Sequence, residues 1–102
     1  MQVFKFGGAS VKDADGVKNV AEVLKQFPSQ KISVVISAMG KTTNALERLA
    51  KAYFYKVENA EKVLEEIKAY HFDICNHLFP TTSHPIFNDL ENTFVELYWI
   101  IE

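Results

Sequence analysis

Residues 2–6 (Gln-Val-Phe-Lys-Phe) alternate polar and apolar side chains and stop at Gly7-Gly8. That period of two predicts a short strand closed by a turn. Asp13 is a candidate N-cap for a helix whose apolar positions are Val17, Val20, Ala21, Leu24 and Phe27, closed by Pro28. Residues 31–37 (Lys-Ile-Ser-Val-Val-Ile-Ser) are an almost unbroken β-branched run, the type that parallel sheets cover on both faces. The first forty residues therefore predict strand, helix, strand: one βαβ unit with a right-handed crossover.

A different texture follows. Thr42 or Thr43 can cap a helix with Leu46, Leu49, Ala50, Tyr53, Phe54 and Val57 on its apolar face. Asn59 can cap a second, striped by Val63, Leu64, Ile67, Tyr70, Ile74 and Leu78 and followed by Pro80. Thr81 to Pro85 predict a loop, with Pro85 suited to open a third helix carrying Phe87, Leu90, Phe94, Leu97, Tyr98 and Ile101. That helix ends on Leu-Tyr-Trp-Ile-Ile-Glu with no stop signal, and two strands are few for a parallel sheet. Both features lead us to expect a piece of a larger domain. Unpaired strand edges and apolar helix faces predict self-association, hence a homo-oligomer.

Composition narrows the function classes. The chain has 102 residues, 11 Lys+Arg against 13 Asp+Glu, and 48% hydrophobic residues. A net charge of −2 is no footprint for nucleic acid, and the hydrophobic fraction argues against disorder. No run of about 18 apolar residues is present, so no membrane span is expected. The single cysteine, Cys75, excludes an internal disulfide. With Lys5 interrupting the first apolar run, no signal peptide is expected and the cytoplasm is the predicted compartment.

Two segments carry candidate chemistry. Lys5-Phe6-Gly7-Gly8-Ala9-Ser10 lies where a strand ends and a helix follows, the edge at which open α/β sheets bind ligands. Successive glycines let backbone N–H groups approach an anion, Ser10 adds a hydroxyl, and Lys5 adds a cation. Together they outline a phosphate cradle; a tight turn beside a snorkelling lysine is the plainer reading. Ser37-Ala38-Met39-Gly40-Lys41-Thr42-Thr43-Asn44 ends the second strand at the same sheet edge. It is no P-loop, because position 35 is valine where that motif needs glycine, and no GxGxxG occurs. Asn44 reads equally as a helix cap or as a substrate contact.

The two segments together resemble a known family. Lys-Phe-Gly-Gly-Ala-Ser-Val at 5–11 is similar to the aspartokinase signature Lys-Phe-Gly-Gly-Thr-Ser-Val. Residues 35–44 are similar to that family's Val-Val-Ser-Ala-Met-Gly-x-Thr-Thr-Asn string. The resemblance covers residues 2–50 well and 51–102 only in helical character. It implies the three-layer α/β/α amino-acid-kinase fold, of which 1–102 would be an incomplete catalytic domain. Residues 1–44 would be the βαβ phosphate and substrate region and 45–102 a helical segment, with no ACT regulatory domain.

The implied reaction transfers the γ-phosphoryl of ATP, bound with Mg2+, to the β-carboxylate of L-aspartate. The product, 4-phospho-L-aspartate, opens the route to lysine, threonine and methionine. The resemblance makes Lys5 catalytic, neutralising the transferring phosphoryl. Lys5, Gly7, Gly8 and Ser10 would hold the ATP phosphates, and Ser37 and Thr43 the substrate. Ala9 stands where threonine is commoner. The family's acidic and arginine substrate residues and its nucleotide-base pocket match nothing here, so this chain by itself is expected to be inactive. The competing readings are another kinase of the same fold, acting on acetylglutamate, glutamate or a nucleoside monophosphate, and a non-catalytic helical interaction module.

Other clusters read as structure. His71 and Cys75 are four residues apart, with His77 and His84 near, but Cys75 neighbours an apolar stripe and no metal site is expected. Glu58, Glu61, Glu65 and Glu66 with Lys62 and Lys68 predict a solvated face with i, i+4 pairs. Tyr53, Phe54, Tyr55, Tyr70, Phe72, Tyr98 and Trp99 sit mostly at helical spacing and are expected in the core, and because 98–101 is wider than one helix face, part of it is expected to pack on something outside this chain.

Overall fold

The computed structural model describes residues 1–28 and 30–102. The chain is mixed α/β: β1 (Gln2–Phe6), a 3-10 turn (Gly8–Val11), α1 (Ala14–Lys25), β2 (Ile32–Ile36), α2 (Thr42–Tyr55), α3 (Ala60–Leu78) and α4 (Pro85–Ile101). It divides into two compact units, Met1–Thr42 and Thr43–Glu102.

In the first unit β1 and β2 pair in parallel, with Gln2 opposite Ile32 and Phe6 opposite Ile36. The crossover α1 begins where expected: Asp13 accepts the Gly16 N–H through its carboxylate at 2.8 Å. That bond satisfies one of the first-turn amides a helix leaves orphaned. Alternation puts Phe4 and Phe6 on one sheet face, where the Phe4 ring lies 4.9 Å from Phe27. Val3 and Lys5 share the other face with Ser33 and Val35. Val11 and Val20 are the buried apolar residues here. α1 is shorter than its apolar pattern, because it ends at Lys25 and leaves Phe27 in the following turn. The cover that the β2 sequence anticipates is missing: Val35 and Ile36 are 50% and 55% exposed.

The second unit is a helical cluster. Asn59 caps α3 by accepting the Lys62 N–H at 3.1 Å. Pro85 opens α4 behind His84, whose Nδ1 accepts the Ile86 N–H at 3.1 Å. The core joins Leu49 and Ala52 of α2, Val63, Leu64 and Ile67 of α3, and Phe94 of α4. Ile74, Cys75 and Phe87 are also buried.

The expected face of α2 is corrected. Ala45, Leu49 and Ala52 turn inward, since small side chains let helices approach. The bulkier Leu46, Tyr53 and Phe54 line an open apolar groove of about 230 Å³ with Leu97 and Ile100, and Val57 is exposed. Phe54, Tyr55 and Trp99 are therefore surface residues rather than core. Thr42 does not cap α2 by accepting an amide: it lies inside the helix, and its hydroxyl donates to the Met39 carbonyl at 2.6 Å.

The acidic face of α3 is corrected too. Arg48 of α2 binds Glu58 through two nitrogens and reaches Glu66. Lys68 pairs with Glu91 of α4 at 2.9 Å. These ion pairs join separate segments rather than successive turns of one helix. Hydrogen bonding to Arg48 holds the Glu58 carboxyl below the usual range, and the two carboxylates raise the Arg48 guanidinium further.

Candidate functional site

The sheet edge expected to carry chemistry is formed by the segments that follow β1 and β2. The ladder continues one step past the strands, with the Ser37 N–H donating to the Phe6 carbonyl at 3.0 Å. Beyond it, the Gly40 N–H donates to the Gly8 carbonyl at 3.0 Å. The two motif segments, residues 5–10 and 37–44, are thus joined by a direct backbone bond between Gly8 and Gly40.

The glycines serve different needs. A Cβ on Gly8 would lie 2.6 Å from the Gly40 carbonyl oxygen and 3.1 Å from that of Ala38. Only a residue without a side chain permits this approach. A Cβ on Gly7 would meet nothing within 4 Å, and the Gly7 φ of −78° is ordinary. Nothing among the described residues therefore requires glycine at 7, which suits a position that something else must approach closely. Gly40 has φ 55°, the left-handed region, and so makes the sharp turn after β2. The Thr42 amide and hydroxyl both bond the Met39 carbonyl and pin that turn.

The Gly7 and Gly8 N–H groups donate to no backbone acceptor among the described residues. Ser10 is exposed, and its amide bonds the Gly7 carbonyl at 3.0 Å, which closes the 3-10 turn. Lys5 is exposed on β1, two residues before Gly7. A cation, two unspent amides and a hydroxyl thus lie along six consecutive positions, 5–10, of one edge, an arrangement that stabilises phosphate-like charge. Ser37 is at the same edge and exposed. So the first unit holds Lys5, Gly7, Gly8, Ser10 and Ser37, whereas Thr43, exposed near the start of α2, is the first residue of the second unit.

The role of Gly40 as the strut under Gly8 was not anticipated from sequence. Its signal was available: a glycine one residue before a lysine at a strand end, with no P-loop to explain it.

The histidine and cysteine cluster resolves into helix packing. His71 Nδ1 lies 2.8 Å from the Ile67 carbonyl and His77 Nδ1 2.7 Å from that of Asp73. Burial pushes the Cys75 thiol up, away from reactivity. Among the described residues no three His, Cys, Asp or Glu side chains converge as a metal site.

Comparison with known proteins defines the class. Residues 1–85 match the amino acid kinase family. The chain belongs to that family, and its parallel strand pair and four α-helices are consistent with the N-terminal portion of the family's fold.

Within the family its relatives are specific. It is 42% identical over 79 residues to aspartokinase 2, chloroplastic, of Arabidopsis thaliana, covering 74% of this chain and 14% of that protein. It is 45% identical over 64 residues to aspartokinase 1, chloroplastic, of the same plant, covering 62% of this chain and 11% of that protein. Bifunctional aspartokinase/homoserine dehydrogenase 2 of Escherichia coli (strain K12) is 30% identical over 79 residues, covering 78% and 10%. These relatives bear out the aspartokinase resemblance of the two motifs. The chain spans between a tenth and a seventh of their lengths. No helix among the described residues is long and apolar enough to cross a membrane.

Proposed function

We propose that this chain carries the phosphate-gripping segment of an aspartate kinase. In the proposed reaction a β-carboxylate oxygen of L-aspartate attacks the γ-phosphorus of ATP. The new O–P bond forms as the bond to the β,γ-bridging oxygen breaks, and that electron pair leaves with ADP. No proton need move, so the work is positioning and charge neutralisation. Lys5 neutralises the transferring phosphoryl; the Gly7 and Gly8 amides and the Ser10 hydroxyl hold the phosphates; Ser37 and Thr43 contact the aspartate.

The observation that supports this reading is the Gly40-to-Gly8 backbone bond, which joins the segment after β1 to the segment after β2 within the first unit. Mg2+ is taken to arrive on the nucleotide, held chiefly by its phosphates. The chain alone is read as an incomplete catalytic domain without turnover, and the whole enzyme as a cytoplasmic homo-oligomer. The exposed apolar faces of both units support the last point.

The test is titration of the isotope-labelled chain with MgATP, followed by amide NMR. The Gly7, Gly8 and Ser10 resonances are expected to shift first and most. Shifts confined to the second unit, or none at millimolar nucleotide, would overturn the reading.

A further inference from the structure

We propose that Lys41 is a second phosphate-binding cation of the same edge, acting opposite Lys5 on the phosphoryl oxygens of the nucleotide. This rests on the phosphate-cradle reading above and adds to it a residue that neither motif assigns.

Three observations carry it. First, Lys41 directly follows Gly40, whose amide bonds the Gly8 carbonyl and whose own carbonyl oxygen would lie 2.6 Å from a Cβ on Gly8. Successive Cα atoms are about 3.8 Å apart. The Lys41 backbone therefore stands one residue from the strut under the cradle, within reach of a lysine side chain.

Second, that backbone is fixed from both sides. Gly40 is bonded to Gly8, and the buried Thr42 is bonded through amide and hydroxyl to Met39. Binding then needs to order one side chain rather than a loop, which lowers its entropic cost.

Third, the charge is unspent. The Lys41 side chain is exposed and, like Lys5, makes no ion pair or hydrogen bond among the described residues. Residues 1–42 hold six lysines against three carboxylates, although the whole chain is net acidic. Of those carboxylates, Asp13 is engaged in capping α1 and Glu22 pairs with Lys25. An ammonium beside bare amides attracts a polyanion, and its charge-assisted bonds are the stronger kind.

The experiment compares Lys41→Gln, Lys5→Gln and Lys18→Gln in the 102-residue chain. Lys18, exposed on α1, controls for the loss of one positive charge anywhere on the unit. Affinities for inorganic tripolyphosphate, MgATP and L-aspartate are measured by calorimetry or NMR, with circular dichroism verifying the fold. Lys41→Gln is expected to weaken tripolyphosphate and MgATP binding about three- to tenfold, as Lys5→Gln does, against less than about twofold for Lys18→Gln. If Lys5→Gln weakens binding and Lys41→Gln matches the Lys18 control, the Lys41 assignment falls and the cradle stands. If all three match, cradle and assignment fall together. An effect of Lys41→Gln confined to L-aspartate overturns the assignment to phosphate.

Discussion

Gly8 and Gly40 lock the two motif segments together: the Gly40 amide donates to the Gly8 carbonyl at 3.0 Å, and a Cβ on Gly8 would lie 2.6 Å from the Gly40 oxygen. Gly7, its neighbour, has open space where a side chain would go. The missing side chain therefore serves the fold at position 8, whereas at position 7 it leaves open space.

This division is testable with two alanines. Gly8→Ala forces backbone apart and is expected to destabilise the chain by about 1–3 kcal/mol. Gly7→Ala is expected to change stability by less than about 0.5 kcal/mol while weakening MgATP binding. Urea denaturation and nucleotide titration of both variants separate the two effects. Equal stabilities would refute the strut.

The Arg48 network gives stability a pH dependence. The Glu58 carboxyl is held below its ordinary value by hydrogen bonding to Arg48, so the folded state binds its proton less readily than the unfolded chain. That contribution is present above the unfolded carboxylate pKa, about 4.3 for Glu. It is lost as pH falls through the lower folded value. The urea midpoint of the wild type is expected to drop more steeply between pH 5 and about pH 3 than that of Arg48→Met, with the two curves converging in acid. Because the pair is exposed, the gap at neutral pH should shrink in high salt. Parallel curves at every pH would show that the network contributes nothing.

His84 closes α4 at its N-terminus by accepting the Ile86 amide, and its ring stacks on Phe79 with centroids 4.0 Å apart. Asparagine can accept the same bond but cannot reproduce the stack. His84→Ala should therefore cost about 1 kcal/mol, as other lost caps do, and His84→Asn should recover part of it. Thermal melts followed at a helix wavelength measure both; an Asn variant no better than Ala would locate the effect in the stack alone.

What the sequence disclosed follows physical range. The strand pair, the Asp13 and Asn59 caps and the Pro85 start are local in origin, decided within a turn or two of chain, and they were legible. Lys5, Gly7, Gly8, Ser10 and Ser37 could be placed at one edge because parallel strands put their carboxyl ends side by side. The Gly40 strut, the partners of Arg48 and the inward face of α2 depend on residues far away in sequence. Glu58 and Glu66 sat at helical spacing with Lys62, so short-range pairing looked sufficient; the guanidinium of another helix took both instead. In α2 the large apolar side chains advertised a core face, yet helix approach selected the alanines.

That last outcome gives a sharp contrast within one helix. Leu49 is 7% exposed and packs with Val63, Leu64 and Phe94, whereas Phe54, five residues on, is 75% exposed. Hydropathy alone would rank Phe54 as no less important than Leu49. Burial reverses the order, because truncation costs free energy only where apolar surface was out of water and a cavity is left. Leu49→Ala is expected to cost about 2–4 kcal/mol, and Phe54→Ala less than about 0.5 kcal/mol. Chemical denaturation should be run at low protein concentration, so that contacts between copies do not add to stability. If Phe54→Ala is the more damaging under those conditions, the inward face of α2 is the one that carries Phe54, and the alanine stripe is not the core.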